Sequence, residues 1–183
     1  MRVRRVVTGH DARGKAVVVN DSPVEPVTAT LTGESEFHVL WGADSVRHFP
    51  DDGSPPPHVS YFPPVGGFRF GLFSVPPEGR SLPADLDLES ALAEFDAKLP
   101  GLASHIEPDA PGMHTTATID YEVVLEGEVW LELDDGVEVH LRAGDTVVQN
   151  GTRHAWRNHG SETARLAVVL IGADHDQVPP SAR

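Results

Sequence analysis

Short strand-like runs of apolar residues recur in the first part of this chain, and one later stretch repeats with a period near 3.6. The first kind covers Val3 to Thr8, Ala16 to Asn20, Glu36 to Trp41 and Phe68 to Val75, which read as strands. Between them lie stretches such as Asp51-Asp52-Gly53-Ser54-Pro55-Pro56-Pro57 and Pro63-Pro64-Val65-Gly66-Gly67. These cannot continue a ladder, because proline offers no amide donor and consecutive prolines favour an extended, solvated backbone. The helical period occurs from about Leu88 to Leu99, where Leu88, Leu92, Phe95 and Leu99 fall at i, i+4, i+7 and i+11 and predict one buried stripe. Asp87 is placed to cap the start, Glu89 adds charge to the first turn, Lys98 sits near the end, and Pro100-Gly101 stops the helix.

From Ile106 to Ile171 the pattern changes to short runs rich in valine, leucine, tryptophan and threonine. They are cut by turns at Glu126-Gly127-Glu128, Asp134-Asp135-Gly136, Arg142-Ala143-Gly144-Asp145 and Asn150-Gly151. Hairpins at this spacing with no helix between them predict an all-β fold, an antiparallel barrel or double-sheet jelly roll. The apolar run Leu166 to Ile171 is a buried strand, far short of the roughly 20 residues that cross a bilayer. The basic start Met1-Arg2-Val3-Arg4-Arg5 lacks the apolar stretch of a secretory signal, so the expected location is cytoplasmic, without membrane contact. The organisation expected is an N-terminal extension over 1–105, a barrel over 106–175 and a tail over 176–183.

Composition narrows the function classes. The chain has 183 residues, 39% of them apolar, which is enough for one well-cored domain. Its 17 glycines and 16 prolines disfavour a helical bundle. With 14 basic against 28 acidic residues the net charge is -14, so a phosphate backbone would be repelled and no nucleic-acid partner is expected. The absence of cysteine excludes disulfides, thiolate nucleophiles and cysteine-held metal centres, leaving oxygen and nitrogen ligands. There is no phosphate-binding glycine-lysine loop, dinucleotide fingerprint or serine nucleophile elbow in the context that each requires.

The chemistry-bearing residues concentrate in two segments, Pro111 to Gly127 and Gly144 to Asn158. Together these resemble the two motifs of the cupin superfamily, G-x5-H-x-H-x3-4-E-x6-G and G-x5-P-x2-H-x3-N, in which three histidines and a glutamate usually bind a divalent metal inside a small barrel. With Gly127 as the closing glycine, Asp120 stands at the glutamate position, Thr116 at the second histidine and His114 at the first. In the second motif His154 and Asn158 match and Gly151 replaces the proline, with Gly144 one residue further ahead than the spacing asks; Pro108 stands where the first motif would begin with glycine. Two of the four ligand types have changed. The resemblance implies a cupin-type double-stranded β-helix with an N-terminal strand extension and one helix, and a small-molecule ligand. It also implies pairing of barrels, and short strands in the extension leave edges that a second copy could cover, so a homodimer is expected.

Read without the family, His114, Thr116 and Thr118 share one strand face, and Asp120 joins them if the strand keeps its register. Two neutral imidazoles and a carboxylate suit zinc, iron(II), manganese or nickel. The alternative for His114 and His154 is a pair of barrel-interior residues hydrogen-bonded to neighbours, and for Asp120 a carboxylate facing water. Thr116, Thr118, Trp130, Gln149 and Trp156 are candidates for pocket walls, and tryptophan in such strands is more often plain core. Tyr121 and Arg153 are the candidates to orient a substrate. Three function classes stay open: a metal-dependent enzyme of dioxygenase, decarboxylase, lyase or isomerase type acting on a small oxygenated molecule, a metal-free binding or sensor protein, and a metal-free catalyst with His114 or His154 as general base. Fold alone does not decide among them.

Overall fold

A computed structural model of the chain describes residues 2–79, 85–176 and 178. Ten strands and one α-helix follow in the order β1 (Val3–His10), β2 (Ala16–Val24), β3 (Phe37–Ala43), β4 (Phe68–Val75), α1 (Leu88–Lys98), β5 (Thr118–Glu126), β6 (Glu128–Glu132), β7 (Glu138–Arg142), β8 (Thr146–Asn150), β9 (Ala155–Arg157) and β10 (Ala164–Gly172). The expected strands, turns and helix all appear, most of the early strands a few residues longer than the pattern alone marked. The tail lies almost wholly outside the described residues. No helix among the described residues is long and apolar enough to cross a membrane.

Strands β3, β4, β10, β5 and β8 form one antiparallel sheet in that order, and β7, β6 and β9 form a second. Strands β1 and β2 pair as a separate hairpin. Within 1–105, β3 and β4 continue the large sheet, while the β1–β2 hairpin is joined to it by Arg5, which donates to the Leu40 carbonyl at 2.9 Å. The turn from β5 into β6 passes through Gly127 at φ 73°, where a Cβ would meet Ala164 Cα at 3.0 Å. Only glycine accepts both that conformation and that approach.

The two sheets face each other across Val124, Val129, Leu131, Leu141, Ala164 and Leu166, the double-sheet arrangement of an all-β jelly roll. Further along the same inner face, Val168 and Leu170 of β10 are covered by Phe62, Phe95, Leu99 and Leu102. Helix α1 thus closes the part of the sheet that the small sheet leaves open. Asp87 caps it by accepting the amides of Glu89 and Ser90. Its buried stripe is Ala91, Phe95 and Leu99, while Leu88 and Leu92 are exposed, which corrects the expected stripe by a rotation about the helix axis. The small Ala91 lets the helix approach the core on that side, a role that hydrophobicity counting passes over.

Arg69 on β4 fixes the loop that precedes this strand. It is 5% exposed, and its guanidinium donates to the carbonyls of Ala43, Ser60 and Phe68 and to the Asp44 carboxylate. The fork geometry suits several acceptors in one plane. Removing the helix anchor tests this packing: Phe95→Ala is expected to cost about 3–5 kcal/mol in urea unfolding, whereas Leu88→Ala should change stability by no more than about 0.5 kcal/mol. Comparable losses for both would place the buried stripe where the sequence pattern put it.

Candidate functional site

The alternation of β5 builds the site. Thr118, Asp120, Glu122 and Val124 point inward and are buried, while Tyr121, Val123 and Leu125 point outward and are exposed. Across the ladder Asp120 faces Leu170 of β10 and Gln149 of β8, and Glu122 faces Val168 and Val147. Two carboxyl groups therefore sit on the inner face of the sheet with largely apolar neighbours. Asp120 Oδ1 and Glu122 Oε2 are buried without a hydrogen-bond partner among the described residues.

Burial disfavours the charged form of both acids. It pushes the Asp120 carboxyl up to about 6, against a smaller lowering by its hydrogen bond from Thr118. It pushes Glu122 up to about 8, with the neighbouring Asp120 charge adding to the effect. At neutral pH Glu122 is therefore mainly a carboxylic acid that can donate a hydrogen bond.

The histidines enter from the segments flanking the strands. His114 and His154 are joined by reciprocal backbone hydrogen bonds of 2.9 and 3.0 Å, and their ring centroids lie 4.2 Å apart. Each ring places Nδ1 2.9 Å from a backbone carbonyl, that of Gly112 for His114 and that of Thr152 for His154. A carbonyl can only accept, so Nδ1 carries the proton and Nε2 keeps its lone pair. Burial pushes His154 down to about 3, helped by the nearby His114, and burial likewise lowers His114. Both rings are neutral bases near pH 7.

Thr116 and Thr118 are buried on the same side, hydroxyl to hydroxyl at 2.8 Å. Gln149 is also buried, donating to the Thr152 carbonyl and to its hydroxyl. Trp156 faces inward, 6.3 Å from His154 and 6.1 Å from Phe73 between ring centroids. Asn158 is buried too, but it ties the Val75 and Glu162 carbonyls together.

Other expected site residues lie elsewhere. Tyr121 is 48% exposed on the outer face of β5, because it alternates with the two inward acids. Arg153 holds Glu107 through two bonds of 2.7 Å and Asp134 at 2.9 Å, a clasp between the segment before β5 and the turn after β6. Trp130 alternates with the buried Val129 and Leu131 and stacks on His140 at 4.2 Å, away from the interior. Among the described residues no three histidine, aspartate or glutamate side chains come together closely enough to hold one ion. The two imidazoles pair, but Asp120 is engaged by the Thr118 hydroxyl, which in turn bonds Thr116, the residue standing where a second histidine would be. The residues present do not fit a three-ligand metal centre.

Glu122 and Tyr61 were not singled out by the sequence. Glu122 was accessible to the period-two argument, since it follows Asp120 on the same face. Tyr61 comes from a proline-flanked loop with no periodic signal, and only the fold brings it against the inner face.

A family model described as "Cupin domain" matches residues 104–170. Phomopsin biosynthesis cluster protein C' of Diaporthe leptostromiformis is 34% identical over 167 residues, covering 91% of this chain and 76% of that protein. A cupin-domain-containing oxidoreductase of Neurospora crassa, srdB, is 28% identical over 173 residues, covering 91% of this chain and 72% of that one. Among solved structures, an RmlC-like cupin family protein with a double-stranded β-helix fold from Methanocaldococcus jannaschii is 13% identical, with a TM-score of 0.37, over 57% of this chain and 70% of that chain.

The buried acid gives a pH test with a definite sign. Because the folded-state value of Glu122, about 8, lies above its ordinary value of 4.5, the folded state binds more protons in that interval. The contribution is complete below pH 4.5 and is lost as pH rises through 8, at up to about 1.4 kcal/mol per pH unit. Urea unfolding at pH 7, 7.5 and 8, above the range in which the buried histidines gain stability with pH, should show the wild type weakening with pH and Glu122→Gln losing much of that slope. Parallel slopes for the two proteins would show that Glu122 titrates normally.

Proposed function

We propose that the chain, which belongs to the cupin family, is an enzyme that binds a small oxygenated organic molecule inside the barrel and transfers protons on it. The observation that carries this reading is the pair of buried carboxyl oxygens, Asp120 Oδ1 and Glu122 Oε2, left without partners on the inner face of the sheet. Leaving such atoms unpaired costs on the order of 1–3 kcal/mol each. Sites that bear such a cost are where a ligand supplies the missing bond.

The chemistry follows from what each group can do. A neutral imidazole, His154 or His114, accepts a proton from carbon next to a carbonyl through its Nε2 lone pair. The Glu122 carboxylic acid donates its proton to the carbonyl oxygen as charge develops there. The substrate C–H bond breaks as an imidazolium N–H forms, and the Glu122 O–H breaks as the enol O–H forms. Return of the imidazolium proton to carbon and of a hydroxyl proton to the Glu122 carboxylate restores both groups, and where the substrate carries an α-hydroxyl or a conjugated double bond, reprotonation at a different carbon completes an isomerisation. Asp120 and Thr118 hold the polar side of the pocket. The names of the relatives, biosynthesis cluster proteins and cupin-domain oxidoreductases, support work on small organic molecules in this chain as well.

A second reading has a divalent ion of zinc, iron, manganese or nickel on the two imidazoles. It is favoured by one observation, the two Nε2 lone pairs left free by the Nδ1 bonds to backbone carbonyls.

Proton exchange in heavy water separates these readings. The purified, untagged chain, incubated with a panel of small ketones and aldehydes, should exchange hydrogen for deuterium at the carbon next to the carbonyl. Glu122→Gln and His154→Asn are each expected to slow exchange by about 10²–10⁴-fold. Exchange unaltered by EDTA is the expected result. Loss on EDTA with recovery on added zinc, manganese, nickel or iron(II) would favour the second reading, and full activity in Glu122→Gln would contradict the first.

A further inference from the structure

Beside the buried acids lies a cleft of about 150 Å³, walled by Phe37, Val39, Tyr61, Leu99, Val168 and Leu170. Two of its walls adjoin the proposed site directly, because Val168 pairs with Glu122 across the ladder and Leu170 with Asp120. Residues paired in this way project side by side from one face, with Cβ atoms about 4.5–5.5 Å apart. The two carboxyl groups therefore stand beside two walls of the cleft, although neither acid lines it. Its outer rim is formed by exposed residues that include His58 and Lys98.

The size and lining specify what fits. The apolar walls are joined by Ser60 and by the buried His38, whose Nε2 has no hydrogen-bond partner among the described residues, and a cavity of about 150 Å³ accommodates one benzene-sized ring. The charge of the surroundings specifies more. Arg69 borders the cleft, but its guanidinium is engaged by three carbonyls and Asp44. Lys98 is held by Glu94 at 2.7 Å and by the Thr28 carbonyl at 2.8 Å. A carboxylate ligand would thus meet two acids and gain no available cation from either residue. A neutral head group, by contrast, can pair with the acids without a charge penalty.

Tyr61 stands at the junction. Its ring packs edge-on against Phe37 at 6.0 Å and Phe62 at 5.1 Å between centroids. Burial, and then the charges of Asp120 and Glu122, push its phenol well above its ordinary value, so it stays a hydrogen-bond donor.

We infer that this cleft is the subsite for the apolar body of the substrate, that the ligand is a neutral, single-ring carbonyl or hydroxyl compound, and that the Tyr61 hydroxyl binds its oxygen. The inference rests on the proposed function for what happens at the adjoining acids, but binding in the cleft is measurable without turnover.

The test is binding of acetophenone, with benzoate as the charged counterpart of similar size, to the full chain by NMR titration at pH 7. Acetophenone should bind saturably, with contacts from its ring protons to the Val168 and Leu170 methyl groups. Tyr61→Phe should weaken it between about twofold and tenfold, the range of one ordinary hydrogen bond. Val39→Trp, which fills the cleft, should abolish it. No saturable binding, methyl contacts elsewhere, unchanged affinity in Tyr61→Phe, or benzoate binding as tightly as acetophenone would overturn the inference. The first two results would leave proton exchange at the acids untouched, so failure of the cleft and failure of the proton-transfer reading are separate outcomes.

Discussion

Two carboxyl groups facing the interior from one strand are the constraint on which the remaining structure depends. The period of β5 leaves no choice, since any register that buries Val124 and Thr118 also buries Asp120 and Glu122. Withdrawing two acids from water opposes folding unless they become protonated or find partners. The protein accepts this at a position where both sheets and the helix converge, with Val168 and Leu170 beside the acids and Phe95 and Leu99 beyond them.

Holding that arrangement requires the surrounding loops to be fixed. Arg69 joins the carbonyls of Ala43, Ser60 and Phe68, so the loop that carries Tyr61 and Phe62 is set against the sheet. On the other side Arg153 bridges Glu107 and Asp134, which tethers the segment leading to His114 and His154. The arginine expected to touch substrate is instead a brace, and the distinction follows from its carboxylate partners. The imidazole pair is kept neutral and oriented by the same logic, since each Nδ1 is engaged by a carbonyl two residues earlier in the chain.

Much of the fold was legible in the sequence, because hairpin glycines and alternating apolar runs depend on local physics. The turn at Gly127 and the helix cap at Asp87 are of this kind. The site was legible only in part. His114, His154, Asp120, Thr116, Thr118, Gln149 and Trp156 do gather toward the interior, while among the described residues no three histidine, aspartate or glutamate side chains cluster. Spacing along a strand fixes which face a residue occupies; whether side chains converge depends on their partners, here the threonine hydroxyls. Tyr121, a candidate to orient a substrate, and Trp130, a candidate pocket wall, alternate with buried neighbours and point outward. Tyr61 could not be found from sequence at all, since its position depends on contacts between a loop and a distant sheet.

The central claim is that the interior holds two carboxyl groups with raised proton affinity, and direct titration of those groups tests it most closely. With side-chain carboxyl carbons labelled, NMR titration from pH 3 to 9 should resolve two resonances with midpoints near 6 and 8, assigned by their loss in Asp120→Asn and Glu122→Gln. Midpoints for both groups near the ordinary 3.8 and 4.5 would contradict the account, because they would place these acids in contact with water.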